Sequence, residues 1–322
     1  MTSASEPVDV SIIFRSLNEE RWLGAALDAC RRQKTDGLIV ETILVDSGSI
    51  DRTVDIAEAN GVEVVTIPQH RFTFGRSLNW GCEAARGRIF VFISSHCIPT
   101  HDRWLANLIA PLREGHAAYV YGRQVGHDTT KFSEKQIFAK YFPEQSQVPQ
   151  DGFFCNNANA AILKEIWENH RFDEQCTGLE DMVLAKHLTT IGYEVGYVAE
   201  APVYHIHDET LRQTRNRYYR EALTLRDIMP NIHVGRRDSL RYFAAGVWHD
   251  WIEARREKRL LNELLSTVKF RAAQFWGTYK GHNENRRLSR AEQEAYYYPR
   301  VATGERAAST AQLDAGRIEV QS

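Results

Sequence analysis

Hydrophobic and polar positions switch between two periods along the first third of the chain. Val10-Ser11-Ile12-Ile13-Phe14 reads as a buried strand, and Glu19 to Gln33 follows at helical spacing, with Trp22, Leu23, Ala26, Leu27 and Cys30 on one face. Thr42-Ile43-Leu44-Val45 predicts a second strand that ends at Asp46. Ser49 then stands as an N-cap, with Asp51 in the first turn, of a helix reaching about Asn60. Glu63 to Ile67 predicts a third strand, Ser77 to Ala85 a helix, and Ile89-Phe90-Val91-Phe92-Ile93 a fourth, fully buried strand. Strands separated by helices imply βαβ units and the α/β class, a mostly parallel sheet flanked by helices. Such sheets bind ligands beyond the carboxyl ends of their strands, so the polar residues there are the candidates for chemistry.

The second half is less regular. Tyr119 to Gly122 and Ala158 to Leu163 predict strands, and Glu180 to Ile191 an amphipathic helix. From Glu209 onward the pattern is helical and rich in Arg, Tyr and Trp, and after about Pro299 the apolar signal fades. The expected organisation is a nucleotide- and substrate-binding domain over 1–210, a helical carboxy-terminal appendage over 211–300 and a flexible tail over 301–322. No internal repeat interrupts this plan.

Composition narrows the partners. The chain has 322 residues, with 40 Lys and Arg against 42 Asp and Glu, and a near-neutral chain gives no reason to expect nucleic acid. The five cysteines, Cys30, Cys82, Cys97, Cys155 and Cys176, form no C-x-x-C pair, which argues against a disulfide scaffold or zinc knuckle and for a reducing, cytoplasmic setting. The polar start has no signal-peptide pattern, and no run of eighteen apolar residues predicts a membrane span.

Two strand ends carry the first candidate site. Arg15-Ser16-Leu17-Asn18-Glu19 follows strand one, and Asp46-Ser47-Gly48-Ser49-Ile50-Asp51-Arg52-Thr53 follows strand two. A carboxylate at such an end can accept the imide N–H of a uracil or thymine ring; the alternative is that Asp46 and Asp51 only end a strand and cap a helix. These residues carry a resemblance. Val10 to Ala57 resembles the amino-terminal half of family 2 glycosyltransferases, on Asn18-Glu19 and the run Val45 to Thr53, and the resemblance extends to about Thr210. It is closest to the bacterial rhamnosyltransferase-like branch, where His70 to Gly81 would precede a metal motif. The resemblance implies a GT-A fold and an inverting transfer from a nucleotide sugar, a UDP- or dTDP-sugar, to a glycan or glycolipid hydroxyl in surface polysaccharide synthesis. It places Glu19 and Asp46 on the base and ribose and Arg76 and Asn79 near the phosphates or sugar. Arg15, Asn18, Ser47, Ser49, Asp51 and Ser95 complete the donor set.

The family's metal motif is altered. Strand four runs into Ser94-Ser95-His96-Cys97, where family members carry an Asp-x-Asp-like pair that holds Mg²⁺ or Mn²⁺. His96 and Ser94 stand at those carboxylate positions. Imidazole suits Mn²⁺ better than Mg²⁺. A second cluster, Tyr204-His205-Ile206-His207-Asp208, puts His205 and His207 on one face if extended. By resemblance, the histidine near this point, His207 ahead of His205, reaches the metal or the diphosphate. Two alternatives stay open: His96 is a structural histidine, or the site is metal-free and His96, His207 and Arg76 neutralise the leaving diphosphate by charge.

An inverting transfer needs a general base. Gly178-Leu179-Glu180-Asp181 opens a predicted helix, whose dipole favours ionised carboxylates. The resemblance puts the catalytic carboxylate in this pair, with Asp181 as base and Glu180 as acceptor-binding or as its substitute; plain helix-start charge is the alternative. Phe153-Phe154-Cys155-Asn156-Asn157-Ala158-Asn159 offers amides for sugar hydroxyls or forms a turn, with Asn156 and Asn157 as the acceptor candidates. Trp80 and Phe154 either stack on a sugar or pack in the core. The basic and aromatic helices over Arg212 to Arg226 and Asp238 to Lys280 lie on a membrane surface, pack on the catalytic domain, or meet a second copy in a homodimer. No glycine-rich phosphate loop follows strand one, which argues against a nucleotidyltransferase or a dinucleotide oxidoreductase. The remaining competitor is a non-catalytic nucleotide- or sugar-binding protein that has lost its metal motif.

Overall fold

The computed structural model describes residues 7–284, which form one compact unit. The carboxy-terminal tail, and the part of the helical region beyond 284, lie outside the described residues. Eight strands make one sheet: β1 (Val10–Ser16), β2 (Val40–Asp46), β3 (Glu63–Thr66), β4 (Ile89–Ser94), β5 (Cys97–Pro99), β6 (Tyr119–Gly126), β7 (Asn159–Leu163) and β8 (Val195–His205). The α-helices are α1 (Leu23–Arg31), α2 (Thr53–Ala59), α3 (Phe74–Ala84), α4 (Trp104–Arg113), α5 (Phe132–Tyr141), α6 (Lys164–Asn169), α7 (Glu180–Thr190), α8 (Leu211–Ile228), α9 (Arg236–Arg256) and α10 (Leu260–His282).

The strand order is β3-β2-β1-β4-β7-β6-β8-β5. Strands β1, β2, β3 and β4 pair in parallel, as the βαβ pattern predicts. Strand β7 breaks that rule, running antiparallel between β4 and β6, and β5 runs antiparallel to β8. Both reversals place chemistry on one rim. Ile93 of β4 lies beside Asn159 of β7, so the amides that precede β7 sit at the carboxyl end of β4. Cys97 lies beside His205, so His96 meets the end of β8. The parallel register then aligns Arg15 with Ser94 and Ser16 with Asp46.

The core follows the apolar runs. Phe14, Leu44, Val91 and Ile93 pack with Leu23 and Leu27 of α1 and with Trp104, Leu105 and Leu108 of α4. Helix α2 begins at Thr53 rather than near Ser49, because Ser49 Oγ accepts the Asn18 amide while Asp51 Oδ1 accepts that of Thr53. Strands β5 and β8 and helices α4 and α5 have no counterpart in the sequence pattern. Gly196 and Pro202 interrupt β8, and Pro111 lies inside α4. Beyond β8, α10 lies between α8 and α9 and also touches α5. A Cβ at Gly277 or Gly281 would overlap the carbonyl oxygens of Arg215 and Tyr219, so glycine is what lets α10 approach α8. Arg271 and Asp250 close the α9–α10 contact as a buried bidentate ion pair at 2.7 and 2.8 Å. Among the described residues no helix is long and apolar enough to cross a membrane.

Candidate active site

Three histidines converge at the carboxyl rim. His96 follows β4, His205 ends β8 and His207 lies two residues on; each can offer one ligand atom, and these atoms lie within 4.8 Å of one another. Every Nδ1 is already engaged. That of His96 meets Glu19 Oε1 at 2.7 Å, that of His207 meets Glu134 Oε1 at 2.7 Å, and that of His205 meets Gln124 Oε1 at 2.6 Å. Carboxylates accept, so His96 and His207 donate from Nδ1. The orientation of Gln124 follows from a backbone anchor: Ala158 N–H donates to Asn156 Oδ1, which therefore accepts Gln124 Nε2 at 2.9 Å. Gln124 Oε1 is then the acceptor for His205. In the neutral form each ring then carries its lone pair at Nε2, the tautomer a metal ion requires.

Charge favours the neutral ring at His205 and the protonated one at His96. Burial first, then the neighbouring charges of His207, His96 and Arg217, holds the His205 pKa well below the usual range, so its ring is neutral. Burial also works to lower that of His96, but the charge and hydrogen bond of Glu19 outweigh it and raise the value. Behind His207, Glu134 is 2% exposed in its side chain and also meets Arg217 Nη2 at 2.7 Å, while Arg217 Nε binds Glu209 at 3.1 Å. Burial opposes ionisation of Glu209, yet the Arg217 charge prevails and takes its pKa down to about 2. Three imidazoles suit transition ions rather than Mg²⁺; Mn²⁺, a harder ion, tolerates nitrogen ligands and would draw its oxygen ligands from the donor diphosphate.

The acidic pair lies beside this cluster. Leu179 holds left-handed backbone, φ 56°, a strained conformation for a branched side chain, and it turns the chain so that α7 starts with two buried carboxylates. Arg15 Nη1 binds Glu180 Oε1 at 2.8 Å, and the Arg15 guanidinium lies 4.9 Å from the centre of the Phe74 ring. Asp181 accepts the amides of Asn157 at 2.9 Å and Met182 at 2.8 Å. Burial, and after it the charge of Glu180, pushes the Asp181 pKa up to about 7, against the two amides and Arg15. Asn156 and Asn157 thus bond to both centres: one through Gln124 to His205, the other to Asp181. The Asn157 side chain accepts from Tyr119 Oη, while its Nδ2 is buried with no protein partner.

Other candidate residues are committed to the scaffold. Asn18 and Ser49 tie two loops together, with Asn18 Oδ1 accepting Ile50 N–H at 2.9 Å. Asp51 accepts Glu20 N–H and the Thr53 amide and hydroxyl. Ser47 donates to the Ser16 carbonyl, and Ser95 is fully buried against Ser16 and Arg15. Asp46 stands at the predicted rim but accepts the Gly48 and Ser49 amides. Arg76 is turned onto Glu174 at 2.6 Å and the Arg71 carbonyl. Asn79 fills all its capacity with Phe172, Glu174 and Trp167, so it has no bond left for a donor. Phe154 stacks on Tyr141 at 5.7 Å and also meets Tyr121, while Trp80 lies under Arg71.

Sequence reasoning missed Gln124, Glu134, Glu209 and Arg217. Each acts by holding a neighbour in place, and no local motif marks such a role. A cleft of about 570 Å³ lies elsewhere, at the amino-terminal ends of β2 and β3, lined by Leu27, Cys30, Thr42 and Gly61. Burial drives the thiol pKa of Cys30 up, so that cleft offers no reactive group from it.

Known proteins share the family and the fold. The family model for Glycosyl transferase family 2 matches residues 11–171. The O-antigen chain rhamnosyltransferase RfbN of Salmonella typhimurium is 27% identical over 65% of this chain and 70% of its own. The O-antigen chain rhamnosyltransferase WbaN of Salmonella anatum is 28% identical over 58% of this chain and 63% of its own, so the match spans less than two thirds of that relative. Among solved structures, the mannosyltransferase PcManGT from Pyrobaculum calidifontis, in complex with GDP-Man and Mn²⁺, superposes with a TM-score of 0.60 at 16% identity, over 88% of this chain and 89% of that one. Glucosyl-3-phosphoglycerate synthase from Mycobacterium tuberculosis, with Mg²⁺ and UDP, gives 0.52 at 22% identity, over 69% and 79%. The fold is GT-A.

Proposed function

The chain belongs to glycosyl transferase family 2, and from that premise we propose that it moves a sugar from a UDP- or dTDP-sugar to a hydroxyl of a glycan or glycolipid, with inversion, in surface polysaccharide synthesis at the cytoplasmic face of a membrane. The observation that carries this reading is Asp181, a buried carboxylate whose pKa of about 7 suits it to take a proton at neutral pH. Glu180 is held by Arg15 and so leaves the base role to Asp181. As the acceptor oxygen attacks the anomeric carbon, its proton passes to Asp181, the new C–O bond forms, and the bond to the nucleotide diphosphate breaks on the opposite face. Asn157 orients the base through its backbone amide.

On the donor side, Asp46 would meet the base with the acceptor capacity its two amide bonds leave. His96, His205 and His207 would hold Mn²⁺, which when bound would stabilise the charge that develops on the leaving diphosphate. The two O-antigen relatives support a sugar destined for a surface polysaccharide, and the fold neighbours support a nucleotide-sugar donor with a divalent ion. The reading treats 1–210 as catalytic and 211–300 as an appendage. Transfer and donor-hydrolysis assays over a panel of nucleotide sugars with Mn²⁺ test it. Turnover that Asp181→Asn reduces by roughly 10²–10⁴-fold is the expected outcome. Binding of nucleotide diphosphate with no turnover of any donor would make the chain a binding protein instead.

A further inference from the structure

Helix α9 turns Val247, Asp250 and Ala254 inward. Its outer face presents Arg237, Arg241, Trp248, Ile252 and Arg255, all exposed, with Trp248 at 65%. The carboxylates of the helix are kept off this face. Asp250 is buried against Arg271, Glu253 pairs with Arg256 at 2.5 Å, and Asp238 reaches only the edge, 3.6 Å from Arg241. A solvent-facing helix ordinarily mixes both signs of charge; this face joins arginines to apolar side chains, Ala244 and Ala245 among them.

We propose that this face lies flat on an anionic lipid surface. A helix of 21 residues is roughly 30 Å long, enough to rest along the headgroup layer with Trp248 and Ile252 entering it and the arginines reaching phosphates. The face is the outer side of a single helix, not a groove, so it gives a peptide no pocket. Its arginines stand toward the two ends, Arg237 and Arg241 at one and Arg255 at the other, with Trp248 and Ile252 between them. The chain carries a net charge of -2, so attraction to an anionic surface arises locally and not from the molecule as a whole. The inference deepens the proposed function, since it gives a glycolipid acceptor a surface on which to be met. Its test needs neither donor nor acceptor, so the two stand or fall separately.

The full chain is sedimented with vesicles of phosphatidylcholine alone or mixed with phosphatidylglycerol, at low and high salt. Partition is expected only onto the mixed vesicles and is weakened by salt. Arg237→Gln with Arg241→Gln should lower it by about 30-fold at low salt, at about 1 kcal/mol per basic side chain. Trp248→Ser should lower it by at least about tenfold. Each variant's melting curve and donor hydrolysis should match the parent, which separates loss of the surface from loss of the fold. The proposal is overturned by an absence of partition, by partition that the double arginine variant does not change, or by a dimer that Trp248→Ser dissociates. Partition seen only after removal of 285–322 would give the face to that segment and overturn it equally.

Discussion

Replacing Asp181 by Asn separates the chemistry of this site from its cost to the fold. The native carboxyl holds its proton to about pH 7 against an ordinary 3.8. At 1.36 kcal/mol per unit, the difference corresponds to at most about 4 kcal/mol. The sign follows from which state binds the proton more tightly. Between those two values the unfolded chain has released a proton that the native chain retains, so native stability falls by up to about 1.4 kcal/mol per pH unit as pH rises. The contribution is complete below 3.8 and lost above about 7. Asparagine cannot ionise and escapes this loss. It has one acceptor oxygen, however, so one of the amides of Asn157 and Met182 loses its partner, at about 1–3 kcal/mol at every pH. Asp181→Asn should therefore be less stable than the parent near pH 4 and as stable or more so near pH 8, while turnover drops by roughly 10²–10⁴-fold. Urea unfolding of both proteins across that range reads the difference, in which the titrations of groups remote from Asp181 cancel. Parallel stability profiles would show that Asp181 titrates normally and refute the argument for it as the base.

Two further outcomes follow from the rim. Asp46→Ala should weaken binding of uridine or thymidine diphosphate by about 1.5–3 kcal/mol, measured by titration calorimetry, and unchanged affinity would leave Asp46 as a turn residue for Gly48 and Ser49. Gln124→Leu removes the acceptor of His205 Nδ1 and should reduce Mn²⁺ affinity by about 10- to 100-fold in a paramagnetic resonance titration, whereas Gln124→Glu should retain most of it; equal affinity in all three proteins would dismiss the tautomer relay.

The strand–helix alternation of the first hundred residues was legible because each run buries one face and its period records that burial. Strand β8 was not, because Gly196, Pro202 and the polar Tyr204 and His205 hide an extended segment whose neighbours β6 and β5 supply the pairing. Helix α5 carries too weak an apolar stripe to be seen, yet it brings Glu134 to His207. The candidate ligands His96, His205 and His207 and the carboxylates Glu180 and Asp181 could be named from type and resemblance, and the structure gathers them at one rim. What the sequence could not show is which polar side chains are already satisfied. Asn79 and Arg76 read as donor contacts, but their bonds to Glu174 span nearly a hundred positions and have no local signature. The same holds in reverse for Gln124, an ordinary strand residue until β8 sets His205 beside it.

The histidine at position 96 also changes the charge at the centre. Three neutral imidazoles bring no negative charge to a divalent ion, while the carboxylates of Glu19 and Glu134 stand one bond behind, at Nδ1. A motif with two carboxylates would neutralise the ion before the donor arrives. Here the diphosphate must supply the charged oxygen ligands, so the ion and the nucleotide should bind cooperatively. By linkage, each raises the affinity of the other by the same factor, and a coupling of about 1–3 kcal/mol means about 5- to 150-fold. Mn²⁺ titrated with and without uridine diphosphate measures one side of this cycle, and nucleotide titrated with and without Mn²⁺ the other. Correction for the Mn²⁺–nucleotide complex that forms free in solution is part of both. His207→Ala should abolish the coupling while leaving metal-free nucleotide binding near its parent value, because Asp46 and its loop are untouched. Equal Mn²⁺ affinity with and without nucleotide would mean that the three imidazoles suffice alone, and the charge argument for position 96 would fall.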